Sequence, residues 1–213
     1  MRKPKIPEAA IKRLPIYLRI LGELIEGDVP IISSAELAER TGFSPEQIRK
    51  DLAYFGAFGT RGVGYDTALL SRRISKILGL HQGVKAALVG AGHLGTALAR
   101  YSLSKHKDVR IVAIFDRDPG KVGTELHGVP VQDTSELAEK IHAMGIKIGI
   151  ITVPASEAQR VAEVMAQAGV EAILNFAPAK LRVQGDVVIQ NIDLTIELQS
   201  LAYYTSQEEL QVE

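Results

Sequence analysis

Apolar positions recur at three- and four-residue spacing along the first third of the chain. Over residues 7–27 they fall at Ile11, Leu14, Leu18, Leu21 and Ile25, predicting an amphipathic helix with Pro15 in its first turn or at a kink. Arg13 and Arg19 are expected largely off the apolar face. Ser33 and Glu36 have the spacing of a capping box, and Gly42 closes the short helix they open. The signature repeats at once, with Ser44 as cap, Pro45 at the first helical position and Gln47 reaching back, for a helix running to about residue 55. Ile48, Leu52 and Phe55 form its expected buried face, leaving Ser44, Gln47, Arg49, Lys50 and Tyr54 outward. Two short helices joined by a glycine turn read as a helix-turn-helix, or as a plain helical hairpin with a charged surface.

Residues 56–65, GAFGTRGVGY, interleave four glycines with Phe58, Val63 and Tyr65. The pattern predicts two short strands around a tight turn tipped by Thr60, Arg61 and Gly62, a wing whose arginine suits a narrow minor groove. Asp66 then caps a helix through residue 78, ended by Gly79. The candidate DNA-contacting set is Arg13, Ser44, Gln47, Arg49, Lys50, Tyr54, Thr60, Arg61 and Gly62.

After residue 84 strands and helices alternate, as in a doubly wound α/β domain built on a parallel sheet. A buried-strand run over residues 86–89 leads into Gly90-Ala91-Gly92-His93-Leu94-Gly95 and an alanine-rich helix. This is the dinucleotide-binding pattern. Gly90 serves the turn, Gly92 the approach of backbone to pyrophosphate, Gly95 close packing of helix on sheet, and the helix amino terminus holds the anion. The next strand, 109–115, ends at Asp116, 21 residues after Gly95, where a carboxylate accepts from ribose hydroxyls and favours NAD(H) over NADP(H). Arg117 beside it reads mainly as a surface charge. Residues 119–131 are expected to be loop-rich with a short strand, and further strands are expected at 147–152, 172–175 and 187–190, with one helix capped by residues 133–136 and another over 156–168. Ligands in such sheets lie beyond the carboxyl ends of the strands. Thr152, Val153, Pro154, Asn175, Phe176, Ala177 and Pro178 are therefore candidates for the nicotinamide side.

Charge separates the two halves. The chain has 213 residues and no net charge, but residues 1–80 carry 13 Lys+Arg against 9 Asp+Glu and the remainder 12 against 16. A basic amino-terminal part fits a nucleic-acid partner. With no cysteine, thiolate metal sites, disulfides and thiol redox chemistry are excluded, and no metal is expected. No apolar run reaches membrane-span length and no signal-peptide core opens the chain, so a cytoplasmic location is expected. At the strand ends stands no general acid or base such as hydride transfer to a carbonyl requires, and His93, His106, His127 and His142 fall in loops or on helices. No catalytic residue is assigned. An NAD-dependent oxidoreductase with an accessory DNA-binding domain stays the alternative, and a dimerising scaffold with a vestigial nucleotide fold a third. The last segment spaces Leu194, Leu198 and Leu201 as one helical stripe after Asp193, to be buried on its own domain or on a partner.

Four separated motifs, IRKDLAYFGAFGTRGVGY, GAGHLGTALA, ILNFAP and NIDLTIELQSL, closely resemble the Rex family of redox-sensing transcriptional repressors over essentially the full length. The resemblance implies a winged helix over residues 1–80 that binds palindromic operator DNA as a homodimer. It implies a Rossmann domain over 81–190 that takes NADH or NAD+ as effector, and a carboxyl-terminal helix within 191–213 exchanged between subunits. It further implies DNA contacts from Arg49, Lys50 and Arg61, and a part in switching for Tyr101 and Asp193. A neutral pocket around Phe176 and Pro178 would favour the reduced nucleotide.

Overall fold

The computed structural model describes residues 6–56, 58–60, 62–105 and 108–205. The chain divides into two compact units, Met1–Gln82 and Gly83–Glu213.

In the first unit α1 (Glu8–Glu26) runs unbroken through Pro15, which lies on its exposed side, where a missing backbone donor costs least. The buried face is Ala10, Leu14, Tyr17, Ile20, Leu21 and Leu24. Ile11 and Ile25, expected to face inward, are 45% and 43% exposed. The same spacing supports either stripe, and the stripe with Tyr17 wins because its hydroxyl finds a buried partner, Asp51, at 2.7 Å. The helices α2 (Ser34–Thr41) and α3 (Pro45–Ala53) follow, separated by Gly42 in the left-handed region at φ 74°. Ser33 and Glu36 form the expected capping box. Ser44 caps α3 through the Gln47 amide at 3.1 Å, but the Gln47 side chain turns forward to Asp51 instead of back.

The strands β1 (Ile31–Ile32) and β2 (Tyr65–Asp66) pair antiparallel, so the wing is anchored on the segment before α2. Among the described residues its own closure is one antiparallel bridge between Thr60 and Gly64, where two strands were expected. Asp66 caps α4 (Thr67–Ile77). One core joins these elements, with Leu14, Leu21, Ile32, Leu37, Ile48, Leu52, Leu70 and Ile74 at its centre.

The second unit is a seven-stranded sheet in the order β5-β6-β4-β3-β7-β8-β9. Its strands are β3 (Val84–Val89), β4 (Val109–Asp116), β5 (Glu125–Leu126), β6 (Val129–Asp133), β7 (Ile148–Ile151), β8 (Ala172–Asn175) and β9 (Val188–Asn191). All neighbours are parallel except β5, which makes a hairpin with β6 that the sequence pattern did not reveal. Without β5 the order is that of the doubly wound dinucleotide fold, and it reverses between β3 and β7. Alternation along β3 sends Ala87 and Val89 to the face covered by α6 (Leu137–Met144) and α7 (Ala155–Gln167). Ala86 and Leu88 go to the face covered by α5 (His93–Lys105). The last helix, α8 (Leu194–Thr205), buries none of its residues.

Candidate functional site

The crevice at the β3/β7 reversal is a cleft of about 950 Å³, within the roughly 300–1,000 Å³ usual for cofactor sites. Gly90, Gly92, Asp116, Arg117, Thr152, Val153 and Pro154 line it, all singled out by the sequence. Each glycine of the loop has its own steric reason. A Cβ on Gly95 would lie 1.8 Å from the Gly90 carbonyl oxygen, and one on Gly90, at φ 107°, would meet the Thr152 carbonyl carbon at 2.8 Å. A Cβ on Gly92 would meet nothing within 4 Å. That space is the approach a pyrophosphate needs above the first turn of α5. Thr152 fixes the opposite wall by donating its hydroxyl to the carbonyls of Val89 and Gly90, at 3.1 and 2.8 Å.

Asp116, 8% exposed, closes the far end. Its Oδ2 accepts from the Ala91 amide at 2.7 Å and from Lys121 Nζ at 3.2 Å, and its Oδ1 from the Asp118 amide at 2.9 Å. Burial pushes the carboxyl up, but the two amides and the Lys121 ammonium outweigh it and hold the group below its ordinary range. An ionised carboxylate has about four acceptor positions, so three donors leave one on Oδ1 for a ribose hydroxyl. Spacing marked Asp116 as a ribose acceptor; the structure adds that it ties down the glycine loop. The space over Gly92 and this residual acceptor both fit a dinucleotide.

Asp118, Pro119, Lys121, Thr134, Glu157, Arg160 and Val161 also line the cleft and were missed. For Lys121 the sequence offers no spacing rule, since only a turn brings it back to the strand-end aspartate. Arg117 is an exposed surface charge, as expected, and its Nη1 lies 2.8 Å from Glu157 of α7. The remaining nucleotide candidates sit elsewhere. Ala91 and Gly95 act through backbone and packing, while His93, Leu94 and Tyr101 lie exposed on α5. Asn175 is wholly buried and spends its amide on the loop that follows it, which contains Phe176, Ala177 and Pro178. Asp193 caps α8, its Oδ1 accepting from the Thr195 amide at 2.9 Å.

In the first unit Glu46, Arg49, Lys50 and Ala53 form the exposed side of α3. Arg49 Nη1 donates to Ser34 Oγ at 2.9 Å, and Lys50 stands beside it. Thr60 and Gly62 are exposed on the wing, and Arg61 lies outside the described residues. Tyr54 is half-buried at the end of α3. Arg13 is turned inward. Its Nε and Nη2 donate to the two oxygens of buried Asp51 at 2.5 and 2.7 Å, and Tyr17 and Gln47 donate to the same carboxylate. Arg13 and Tyr17 thus hold α3 against α1, while Gln47 fixes the carboxylate within α3; sequence spacing cannot show this because Asp51 lies 38 residues from Arg13. Among the described residues no cluster of His, Asp and Glu is arranged to hold a metal. No described helix is long and apolar enough to cross a membrane.

A helix-turn-helix unit with a wing, joined to a doubly wound nucleotide-type sheet, defines a regulator class in which one unit reads DNA and the other a small molecule. Family models agree: "Putative DNA-binding protein N-terminus" matches residues 5–53 and "CoA binding domain" residues 81–179. The redox-sensing transcriptional repressor Rex of Natranaerobius thermophilus is 49% identical over 97% of this chain and 94% of its own. That of Streptomyces coelicolor is 47% identical over 95% and 79%. A crystal structure of RSP with beta-NAD+ and operator DNA superposes with TM-score 0.90 at 39% identity, covering 98% of this chain and 96% of that one. RSP with beta-NADH gives 0.83 at 38%, covering 98% of each. The chain belongs to the Rex family of redox-sensing transcriptional repressors.

Proposed function

We propose that this protein represses transcription by binding palindromic operator DNA as a homodimer, and that NADH, in competition with NAD+, releases it. The observation that carries the reading is the pairing in one chain of an exposed Arg49–Lys50 helix face with a cleft shaped for a dinucleotide. The working parts are a DNA-reading unit over residues 1–80, a nucleotide unit over 81–190 and a dimerising segment over 191–213. Such a protein works in the cytoplasm, alongside the chromosome.

Gly90, Gly92, Asp116, Arg117, Thr152, Val153 and Pro154 contact the nucleotide, while Ala91, Gly95 and Asn175 hold those residues in place. Bound nucleotide supplies one difference between its two forms, a single positive charge on the oxidised nicotinamide ring. The apolar Val153–Pro154 wall and the neighbouring Phe176 favour the uncharged ring. Arg49, Lys50, Thr60, Gly62 and, by resemblance, Arg61 face DNA. The nucleotide is an effector, so no residue is assigned a catalytic role.

The test titrates labelled duplex, selected from random sequence by the protein itself, at fixed salt with NADH and then NAD+. NADH should weaken binding by the roughly 5- to 150-fold of ordinary allosteric couplings, and NAD+ far less. Tight binding indifferent to both nucleotides would refute sensing. NADH oxidation with any member of a broad carbonyl panel would instead support the oxidoreductase alternative.

A further inference from the structure

Asn175, the last residue of β8, is fully buried, and its register partner at the end of β9 is Asn191. The Asn175 Nδ2 amide donates to the carbonyls of Ala177 and Ala179 at 3.0 and 3.1 Å, and to the side-chain Oδ1 of Asn191 at 2.9 Å. Its Oδ1 accepts from the Ala177 amide at 3.0 Å. Two amide protons serve three acceptors, so loss of one lets the group settle on the other two.

On one side this amide folds the loop over residues 176–179, and the Phe176 amide ties that loop to the end of β7 through the Ile151 carbonyl at 2.9 Å. The residues that follow Ile151 are Thr152, Val153 and Pro154 of the cleft wall. On the other side the Ile192 amide donates to the Asn175 carbonyl at 2.8 Å. Asp193 comes next and caps α8 through the Thr195 and Ile196 amides, at 2.9 and 3.3 Å. The side-chain bond between Asn175 and Asn191 therefore links the 176–179 loop, itself tied to the strand that leads into the cleft wall, to the root of a helix that exposes Leu194, Leu198 and Leu201.

We infer that Asn191 is a positioning residue for sensing: its side-chain oxygen keeps the 176–179 loop in register with α8 and passes the state of the cleft to that helix without touching nucleotide. The inference rests on the sensor reading above. It requires an acceptor at this position, and both Asn and Asp supply one, whereas Ala does not. Asn191 is exposed, so its truncation leaves no buried cavity.

The experiment compares wild type, N191A and N191D for NADH affinity and for operator affinity with and without saturating NADH, using the duplex selected by wild type. N191A should bind NADH within about threefold of wild type while the effect of NADH on operator binding falls toward unity from its roughly 5- to 150-fold range. N191D should keep the wild-type effect. Undiminished coupling in N191A, or N191D failing as N191A does, overturns the inference. A rise above about tenfold in the NADH Kd of N191A also does so, because Asn191 would then shape the binding pocket itself. If wild type shows no NADH effect, the sensor reading is what fails, and that result is separate from any difference among the variants.

Discussion

A methyl group on Gly95 would collide with the Gly90 carbonyl oxygen at 1.8 Å, whereas one on Gly92 would enter open space at the cleft. The two substitutions should therefore part company. In G95A the clash has backbone on both sides, so its cost exceeds the roughly 1 kcal/mol of helix propensity that alanine gains over glycine. Thermal unfolding of G95A should shift down by several degrees, with NADH binding lost alongside. G92A should melt within about 0.5 kcal/mol of wild type yet bind NADH at least about tenfold more weakly, because its methyl stands where phosphate must approach. Calorimetric titration beside a melting curve checks both, and equal melting losses in the two variants would contradict the assignment. The different duties of these glycines were legible from the strand, loop and helix spacing alone. Lys121 was not: its role depends on a turn that folds it back to within 3.2 Å of Asp116.

At the scale of elements, caps read well and side-chain partners read poorly. Ser33, Glu36, Gly42, Ser44 and Pro45 do what their spacing says, because capping is a matter of neighbours three residues apart. Gln47 departs from its expected box because a carboxylate one turn onward, buried by α1, competes for its amide. That carboxylate belongs to Asp51. Burial pushes it up, but hydrogen bonds from Arg13, Tyr17 and Gln47 and the Arg13 charge outweigh burial and hold it below its ordinary range. Burial in turn pushes the Tyr17 hydroxyl up. Since the folded Asp51 pKa lies below the unfolded value of about 3.9, its stabilisation is complete above that value and is lost as pH falls through the folded one. D51A, which strands Arg13 without its partner, should cost about 3–5 kcal/mol of local stability at neutral pH. Hydrogen exchange of the α1 and α3 amides measures this. With D51N the gap from wild type should narrow as pH drops from about 5 toward 2. A gap independent of pH would mean that the carboxylate charge contributes nothing.

For the whole molecule, the parallel doubly wound sheet was legible from the alternation of strands and helices after residue 84, whereas the strand order and the β5–β6 hairpin were not, because pairing depends on contacts far apart in sequence. The use of α8 was only half legible. Its leucine stripe demands burial, yet in the single chain Leu194, Ile196, Leu198, Leu201, Tyr203 and Tyr204 are all exposed, Leu198 at 68%. Six large apolar side chains on one short helix form a patch that a monomer does not sustain in water. On the proposed reading a second copy is that partner, because a palindromic operator needs two recognition helices about one turn of DNA apart. If α8 makes the dimer, L198D with L201D places carboxylates at the centre of the apolar contact and must break it. Light scattering should then give the mass of one chain where wild type gives two. NADH binding should persist to the extent that the cleft, whose lining lies within residues 90–161, is complete in one chain. Operator affinity should drop by at least about a hundredfold, because each half-site is then held by one unit without the effective concentration that linkage provides. A doubly substituted protein that remains dimeric would move the interface off α8. Loss of nucleotide binding together with the dimer would mean that the partner completes the cleft.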